Sequence, residues 1–468
     1  MGQGMKGKII HNDKAAIEAQ KGTGGWLHRN IDFNHGLRLN AMGRGAATQL
    51  FDSLYQGESL YKREQKRLDL EILIANLVRA RDRAVSISLD HNSWKINRYK
   101  RASYFIIELV KVMETKGYLR MKLGYQFERE SRKTRIWATE KLLEYIRELN
   151  SAVIYSPKEL IILRDENGKL KEYRDTAENR RIRKILQRAN EVNCKADIWF
   201  SKWKLNPCLL AIFKEKFTLY GRLHTKGHRH HYQSLSEDER AEITINGESV
   251  VELDYSGLHP HLLYAKEKIQ FNGDPYTMID ERANNQNKDL RRFYKKALLS
   301  LINAKDKWVE PHTTRTGQKR KGYWSTAKTN AVSSINSLMN LDFFLPQEKS
   351  KKGLQITEKD QEKMNQAKQA RKYLQLGGFI KAHDIIDAFS EAHPKIAHHF
   401  YTGETGMRLM NLDAKIALEV IKHFVKQDKP ILAVHDSFLV QAQYRDELFQ
   451  VMQKIYKQKT GGFSIPIK

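Results

Sequence analysis

Residues 250–260 read VVELDYSGLHP, and residues 430–440 read PILAVHDSFLV. Each is an apolar, β-prone run that reaches an aspartate, Asp254 in the first and Asp436 in the second. A carboxylate at the end of a buried strand costs free energy unless it is paired or binds a cation. N-caps and turns explain most such aspartates. If the two strands lie side by side, however, the carboxylates repel each other and favour a divalent ion, for which Mg²⁺ is the usual choice.

The residues that flank both aspartates indicate which kind of protein would carry such a pair. The segment VVELDYSGLHPHLLYA (250–265) resembles motif A of family A DNA polymerases, an apolar strand that ends in Asp-Tyr-Ser and leads into a helix. The segment ILAVHDSFLV (431–440) resembles motif C, a His-Asp pair in a tight turn between strands. Its His-Asp-Ser-Phe string is closer to the single-subunit phage-type RNA polymerases, which share the same palm.

Two further segments follow the same order along the chain. TLYGRLHTKGHRHHYQSL (218–235) is similar to the family's template–primer motif, and DLRRFYKKALLSLINA (289–304) resembles its fingers helix, motif B. In motif B an Arg and a Lys four residues apart lie on one helical face. Arg291 and Lys295 have this spacing, and Arg292 and Lys296 repeat it one residue later.

The resemblance implies an α+β fold over roughly residues 210–460: a right-hand polymerase with an antiparallel-sheet palm and helical fingers. Asp254 and Asp436 would be the catalytic residues and would bind two Mg²⁺ ions, with Mn²⁺ as an alternative ion and the Tyr255 carbonyl as an extra ligand. One of the two Arg/Lys pairs would hold the nucleotide triphosphate. The residues implied in primer–template binding are Thr218, Gly221, Arg222, Gln233 and His435.

Two departures from the family leave the product open. Asn303 and Ala304 replace the Tyr-Gly that usually ends motif B, and His259 stands where family A DNA polymerases carry a ribose-excluding Glu. Asn303 and His259 are therefore expected near the nucleotide. Asp-Tyr-Ser favours DNA synthesis, whereas His-Asp-Ser-Phe and His259 favour RNA synthesis or priming.

The N-terminal part suggests a second nucleic-acid-binding module. An apolar helix at 104–115 ends at Gly117, and strands are expected near 118–127 and at 134–138 around a charged turn. This order resembles the end of a winged helix-turn-helix, although an ordinary helix–hairpin unit packed on a core has the same pattern. The cations expected to contact nucleic acid are Arg120, Lys122, Arg129, Arg132, Lys133 and Arg135.

Four regions are predicted. Residues 1–60 form an irregular basic segment, residues 61–150 the winged-helix-like domain, residues 151–215 a helical thumb-like or connecting region, and residues 216–468 the palm and fingers. A helix is expected to start at Asp274 as its cap, and 345–372 is expected to be an exposed helix or a mobile insertion.

Composition is compatible with these predictions. The chain has 82 Lys and Arg against 55 Asp and Glu, a net charge of +27 that favours a polyanionic partner, although a generic basic surface would look the same. Its two cysteines exclude a disulfide scaffold and a four-cysteine zinc site, and they fit a reducing cytoplasm. No stretch approaches the length of an apolar membrane span, and the N-terminus lacks the apolar core of a secretory signal.

Two clusters have alternative interpretations. His224, His228, His230 and His231 resemble a zinc site only weakly, and a cationic loop that contacts phosphate is favoured. The aromatic residues Trp308, Tyr323 and Trp324 lie among cations, where packing is a more common fate than stacking on single-stranded bases.

The sequence therefore predicts a template-dependent nucleotidyl transferase that extends a primer with dNTPs, with NTP-using RNA synthesis or priming as the alternative. Its expected partners are a nucleic acid template and primer and nucleoside triphosphates. Two interpretations of other kinds stay open: a non-catalytic DNA-binding protein on a polymerase-like scaffold, and a template-independent tailing enzyme. A phage or mobile-element context is implied by resemblance alone.

Overall fold

The computed structural model describes residues 31–468, apart from 57–59, 82, 128–129, 148, 150–152, 226–230, 284–286, 310–311, 314–318, 321–322 and 352–353. The chain divides into two compact units. The first contains the residues up to Ile162 together with 225–231, and the second contains 163–224 and 232–468. Among the described residues, no helix combines the length and apolarity needed to cross a bilayer.

The first unit has helices on a small sheet. Its helices are α1 (Ala41–Tyr55), α2 (Arg63–Ala80), α3 (Phe105–Thr115) and α4 (Glu140–Arg147). Its strands are β1 (Ile31–Asp32), β2 (Leu37–Leu39), β3 (Val85–Ile87), β4 (Leu119–Lys122), β5 (Tyr125–Phe127), β6 (Glu130–Arg132), β7 (Thr134–Ala138) and β8 (Val153–Tyr155). The main sheet has the order β1-β3-β7-β4, and β2 pairs with β8 and β5 with β6.

Helix α2 is the centre of this unit. It is buried from Asp69 to Val78, and the buried carboxylates on it are paired. Glu71 accepts two hydrogen bonds from the Arg38 guanidinium, both 2.7 Å long, and Asp69 accepts from Ser103. Such pairing is what makes buried carboxylates tolerable.

The prediction of an irregular segment over residues 1–60 is wrong for its last part. Helix α1 begins after Asn40, whose side chain accepts a hydrogen bond from the amide of Gly43 and so caps the first turn. The helix buries Leu50, Phe51 and Leu54 on one face. Residues 1–30 lie outside the described part of the chain.

The predicted helix and strands of the winged-helix-like module are present as α3, β4, β5 and β7, and β4 pairs antiparallel with β7. Arg135, however, was wrongly predicted to contact nucleic acid. It lies on β7, between β3 and β4, is 1% exposed, and burial lowers its pKa. Lys133 is exposed and pairs with Asp32 at 3.1 Å, and Arg132 is partly exposed. Arg129 lies outside the described residues.

Helix α3 is poorly suited to a duplex groove. Its apolar face is buried, and the rest of the helix carries Glu108 and Glu114 beside Lys111. Glu108 forms an ion pair with Lys66 at 2.7 Å. Like-charge repulsion with phosphate disfavours such a surface. The winged-helix resemblance is thus one of element order, and DNA binding by this unit stays a prediction.

The second unit is built on antiparallel sheets. Its strands are β10 (Ile198–Phe200), β11 (Trp203–Lys204), β12 (Leu209–Lys214), β13 (Lys216–Thr225), β14 (Ile243–Ile245), β15 (Glu248–Asp254), β16 (Lys307–Val309), β17 (His312–Thr313), β18 (Lys319–Arg320), β19 (Tyr323–Ser325), β20 (Leu432–Val434) and β21 (Ser437–Gln441). β9 (Ile161–Arg164) lies at the boundary and belongs to the sheet β13-β12-β9. The largest sheet has the order β11-β10-β14-β15-β21-β20.

Its helices are α5 (Ala177–Lys195), α6 (Glu237–Ala241), α7 (Leu258–Lys266), α8 (Lys288–Asn303), α9 (Ala327–Met339), α10 (Leu341–Lys351), α11 (Glu358–Leu376), α12 (Ala382–Ala392), α13 (Thr405–Val425) and α14 (Arg445–Thr460). α13 is central, because it packs against α5, α7, α8 and α14. The largest sheet is antiparallel throughout, and helices are inserted between its strands, so the fold is α+β, as predicted.

The bounds of the helices and strands decide three local predictions. The expectation of a mostly helical stretch over 151–215 is wrong: α5 is its one long helix, and strands β8–β12 occupy much of the rest. Residues 345–372 are mainly helical, in α10 and α11. Asp274 does not start a helix. Its carboxylate accepts a hydrogen bond from the Tyr276 amide in a turn, so the Asp-Pro signal encoded a turn.

Candidate active site

The two aspartates lie at one end of adjacent strands. β15 and β21 pair antiparallel, and Asp254 stands opposite Ser437, the residue after Asp436. The Tyr255 amide donates to the carbonyl of Asp436 at 3.3 Å. Two runs of sequence 182 positions apart (436 − 254) therefore deliver their carboxylates to the same edge of the sheet, as the sequence predicts.

Asp436 is held in a tight turn. Val434 pairs with Ser437, so His435 and Asp436 are the two central residues of the hairpin between β20 and β21. His435 has φ 58°, a left-handed conformation that costs a residue with a side chain about 1–3 kcal/mol. A two-residue hairpin with positive φ at its first central position normally has Gly there. Retention of a strained histidine marks this turn as a functional candidate.

Ser437 stabilises the turn through a hydrogen bond to the neighbouring strand β15. Its hydroxyl donates to Glu252 at 2.5 Å, and Arg240 binds both oxygens of the same carboxylate at 2.7 Å each. This bidentate pair fixes Glu252 on β15. Ser437 in the His-Asp-Ser-Phe string therefore contacts the neighbouring strand and helps to hold Asp436 in place.

Electrostatics show that the aspartates form a strained pair of like charges. Burial and then the charge of Asp436 raise the pKa of Asp254 to about 7, and burial raises the pKa of Asp436 as well. The charge of Lys295 acts on both carboxyl groups in the opposite sense. A site where two buried carboxylates are offset by one nearby ammonium favours the binding of an added cation.

Lys295 on α8 lies within electrostatic reach of the aspartates, since its charge lowers the pKa of both. Its ammonium is 6.0 Å from the centroid of the Tyr276 ring, and the Arg291 guanidinium is 5.3 Å from the same ring. Arg291 also forms an ion pair with Asp274. Tyr276 is 2% exposed, and burial raises its pKa, with smaller contributions from the charges of both aspartates.

Arg292 and Lys296, the pair with the same spacing one residue later, have other neighbours. Arg292 pairs with Asp289 within its own helix at 3.4 Å. Burial and the charges of Arg292 and Lys363 lower the pKa of Lys296, which places Lys296 towards α11. Of the two spacings offered by the sequence, the one that faces the aspartates is Arg291 and Lys295.

A third carboxylate, which the sequence did not predict, lies beside the pair. Asp413 on α13 is 2% exposed, and its charge contributes to the raised pKa of Asp436. Its Oδ2 is 3.2 Å from Nη2 of Arg222 and 3.9 Å from Nε2 of His259. Asp413 thus links two predicted binding residues. The sequence does contain a sign of this residue, because a charged Asp413 interrupts the apolar helical stripe formed by Leu409, Ile416 and Val420.

Two buried nitrogens near these carboxylates lack a hydrogen-bond partner among the described residues. They are Nε of Arg222 and Nδ1 of His435. The charges of Arg222 and Asp413 both affect the pKa of His435, which burial lowers. Buried polar atoms are almost always satisfied, so two unsatisfied nitrogens beside the same carboxylates mark this region as a candidate functional site.

Other predicted primer–template residues shape the backbone. Gly221 has φ 75°, and a Cβ there would lie 2.8 Å from the Asn411 amide, so both conformation and space require glycine. Gln233 donates to the carbonyls of Leu223 and Ala433 at 3.2 and 2.8 Å, which joins β13 to β20. Thr218 is exposed on β13.

The remaining candidates are placed as follows. Asn303 donates to the Leu299 carbonyl at 2.7 Å and packs on Gly406. Its side-chain amide therefore stabilises the last turn of α8. The Tyr255 ring is buried, and its hydroxyl donates to the Met452 carbonyl at 2.7 Å. The side chain is therefore occupied, and the predicted metal ligand is the backbone carbonyl of Tyr255. His259 is buried.

The histidine and aromatic clusters are only partly described. His224 contacts the Tyr220 hydroxyl at 3.1 Å, and its ring centroid lies 6.2 Å from that of His435. His228 and His230 lie outside the described residues, as does the side chain of Trp308. Tyr323 and Trp324 are exposed, and stacking on bases stays a prediction for them.

The donor set suits Mg²⁺. This ion prefers oxygen ligands and is usually held by one or two carboxylates plus phosphate oxygens of the substrate. Asp254 and Asp436 present carboxylate oxygens at one strand edge, and burial together with neighbouring carboxylates raises the pKa of both groups. The arrangement can therefore hold a hard divalent cation and orient a phosphorylated substrate.

Comparison with known proteins adds little. No protein-family model matches the chain, and no curated protein matches it. Among solved structures, the chain is similar to the POL domain of Pol1 from M. smegmatis in complex with DNA primer-template and dNTP. That match has a TM-score of 0.24 and 12% identity, covering 92% of this chain and 66% of that chain. Similarity at this level establishes neither fold nor function.

Proposed function

We propose that the second unit is a template-dependent nucleotidyl transferase that extends a primer with nucleoside triphosphates. The observation that supports it best is the meeting of Asp254 and Asp436 at one strand edge, opposite Lys295. A paired carboxylate site faced by a cationic helix suits phosphoryl transfer, where catalysis is mainly positioning and charge stabilisation.

Asp254 and Asp436 are the residues that would hold two Mg²⁺ or Mn²⁺ ions, together with the Tyr255 carbonyl. When bound, these ions supply activation of the attacking hydroxyl and charge stabilisation of the leaving pyrophosphate. The protein's contribution is rigidity. The β15–β21 register and the His435 turn fix the two carboxylates before substrate arrives.

Lys295 binds the triphosphate in this proposal. Its charge lowers the pKa of both aspartates, so a triphosphate bound beside them would meet the carboxylate-held metal ions on one side and an ammonium on the other. Arg291 is held by Asp274 and the Tyr276 ring, which orients its guanidinium beside Lys295.

Arg222 and His435 contact the primer end. Each has a buried nitrogen without a partner among the described residues, and a small shift of the side chain when substrate binds would bring that nitrogen to a phosphate or sugar oxygen. Gly221 and Gln233 act indirectly, since they set the path of β13 and tie it to β20. The contribution of Thr218 is a surface contact to the strand.

DNA is the proposed product, because the Asp-Tyr-Ser string of motif A is the DNA-polymerase form. RNA synthesis is the alternative, since His259 is buried close to Asp413 and the two together line the region near Asp436. The hydrogen bonds that this pair offers to a 2′-hydroxyl decide which sugar is accepted.

The test is nucleotide incorporation by the purified chain with Mg²⁺. Primed and unprimed templates, each with dNTPs or NTPs, are compared with reactions that lack template. Extension of a primed template in the order of the template sequence supports the proposal, and the preferred sugar identifies the product.

Other outcomes would replace the proposal. Incorporation without template would indicate a tailing enzyme. Duplex binding that is unchanged in Asp254→Asn and Asp436→Asn, together with no incorporation by the wild type, would indicate a DNA-binding protein without catalysis.

A further inference from the structure

A second cluster of metal-ligating side chains lies apart from the aspartate pair. Glu267, His398 and His399 bring one ligand atom each to within 4.8 Å of one another. Nε2 of His399 is 2.7 Å from Oε1 of Glu267, and Nε2 of His398 is 3.3 Å from the same oxygen. Two imidazoles from adjacent residues therefore converge on one carboxylate that is 131 positions away in the chain (398 − 267).

The backbone on the Glu267 side is fixed. Glu267 follows directly on α7, and its amide donates to the Leu263 and Ala265 carbonyls. Lys268 then takes a left-handed conformation, and the Ile269 amide bonds back to the Tyr264 carbonyl. This closed helix end leaves the Glu267 carboxylate at the negative pole of the helix, where a cation is favoured.

The histidine side is fixed as well. Residues 397–399 form a short 3₁₀ turn between two buried anchors, Ile396 and Phe400. The His399 amide donates to the Ile396 carbonyl at 2.9 Å. His399 is nearly buried, whereas 57% of the His398 side chain is exposed, so an ion can reach the cluster from solvent.

Two neutral imidazoles and one carboxylate are a donor set that Zn²⁺ uses, with water in the fourth position. Ligand atoms about 2.0–2.1 Å from a tetrahedral ion lie roughly 3.3 Å from one another. The distance from His398 to Glu267 already has that value, and the distance from His399 needs to open by only about half an ångström.

We propose that Glu267, His398 and His399 bind a divalent transition-metal ion of the zinc class. The ion joins the end of α7 to the 397–399 turn. It is separate from the Mg²⁺ proposed for Asp254 and Asp436, and its nitrogen ligands select a softer ion than carboxylates alone do. The proposal is independent of the polymerase activity.

The test is a Co²⁺ titration of the full chain followed by visible absorption, in excess Mg²⁺ and with Asp436→Asn as the background. One equivalent of Co²⁺ with the spectrum of a nitrogen-ligated ion is expected, together with displacement by Zn²⁺. His398→Ala removes an exposed side chain and should weaken binding more than tenfold, since loss of outer partners alone costs about 10–100-fold. Glu267→Gln should do the same.

The matched control is His383→Ala, an exposed histidine on α12, which should leave binding unchanged. Zn²⁺ should also raise the unfolding temperature of the wild type and not of His398→Ala. Absence of a bound equivalent, or equal affinity in the wild type and His398→Ala, would overturn the proposal. Neither result depends on whether the chain incorporates nucleotides.

Discussion

The guanidinium of Arg222 donates to the carboxylate of Asp413 across 3.2 Å, which joins strand β13 to the central helix α13. This bond leaves Nε of Arg222 buried and without a partner among the described residues. Asp413 also lies 3.9 Å from Nε2 of His259. One buried carboxylate thus holds Arg222 by a hydrogen bond and lies near His259 beside the aspartate pair.

Asp413→Asn should reduce nucleotide incorporation by about 10–100-fold. The amide keeps the shape but removes the charge that holds Arg222, so the primer end is less well positioned. The loss should fall on the rate constant for incorporation more than on the KM for nucleotide. Rapid-quench kinetics separate the two quantities. Asp413→Glu should recover part of the rate, and an unchanged rate in Asp413→Asn would refute this role.

Lys295→Gln should lower kcat/KM for the incoming nucleotide by about 10²-fold, because the ammonium opposite the aspartates is lost. Lys296→Gln is the matched control: it alters the next residue of the same helix, on the face turned towards α11. That variant should stay within about threefold of the wild type. Equal losses in both variants would show that α8 contributes general charge only.

Gly221→Ala should destabilise the second unit by about 1–3 kcal/mol. The added Cβ meets the Asn411 amide at 2.8 Å and the Phe213 ring at 2.9 Å, and the backbone there has φ 75°. Gly168→Ala shares the positive φ but meets nothing within 4 Å, so only the conformational cost of about 1 kcal/mol applies. Urea unfolding compares them, and equal losses would contradict the predicted steric contribution.

Stability of the first unit should fall as pH rises from about 4 to 6. Burial raises the pKa of Asp69 to about 6, although hydrogen bonds from Ser103 and Gln65 oppose this rise. The folded state therefore binds the proton more tightly than the unfolded chain, so the stabilisation is complete below about pH 4 and lost above about pH 6. The expected change is on the order of 2–3 kcal/mol.

Asp69→Asn lacks this titration, so the difference in unfolding free energy between wild type and variant should change with pH across that window. Urea denaturation at several pH values measures it. A difference that is constant from pH 4 to 6 would show that Asp69 does not titrate there.

The pairing of β15 with β21 joins residues far apart in the chain, and only the resemblance of both runs to polymerase motifs predicts it. Each aspartate by itself is marked locally, because an apolar run that ends in a carboxylate is visible in the chain. The spacing of Arg291 and Lys295 is equally local, but the choice between it and Arg292 and Lys296 depended on which side of α8 faces the sheet. That is a tertiary property.

Asp413 and Arg135 show why other residues were missed or misassigned. Asp413 lies in an apolar helical stripe with no motif around it, and its partners are far away in the chain. Arg135 has the composition of a basic turn, yet its strand is central in a sheet, so the guanidinium is buried. The sequence predicts helix where strands β8–β12 lie, because strands of two to six residues are too short to show a clear period.

The most direct test of the central claim is primer extension by wild type, Asp254→Asn, Asp436→Asn and the double variant under identical Mg²⁺ concentrations. Because the two carboxylates act as one site, each single variant should lose at least about 10³-fold in rate, and the double variant should be no worse. Unfolding temperatures of the variants check that the fold is kept. Extension by either single variant at the wild-type rate would contradict the claim that Asp254 and Asp436 form the catalytic centre.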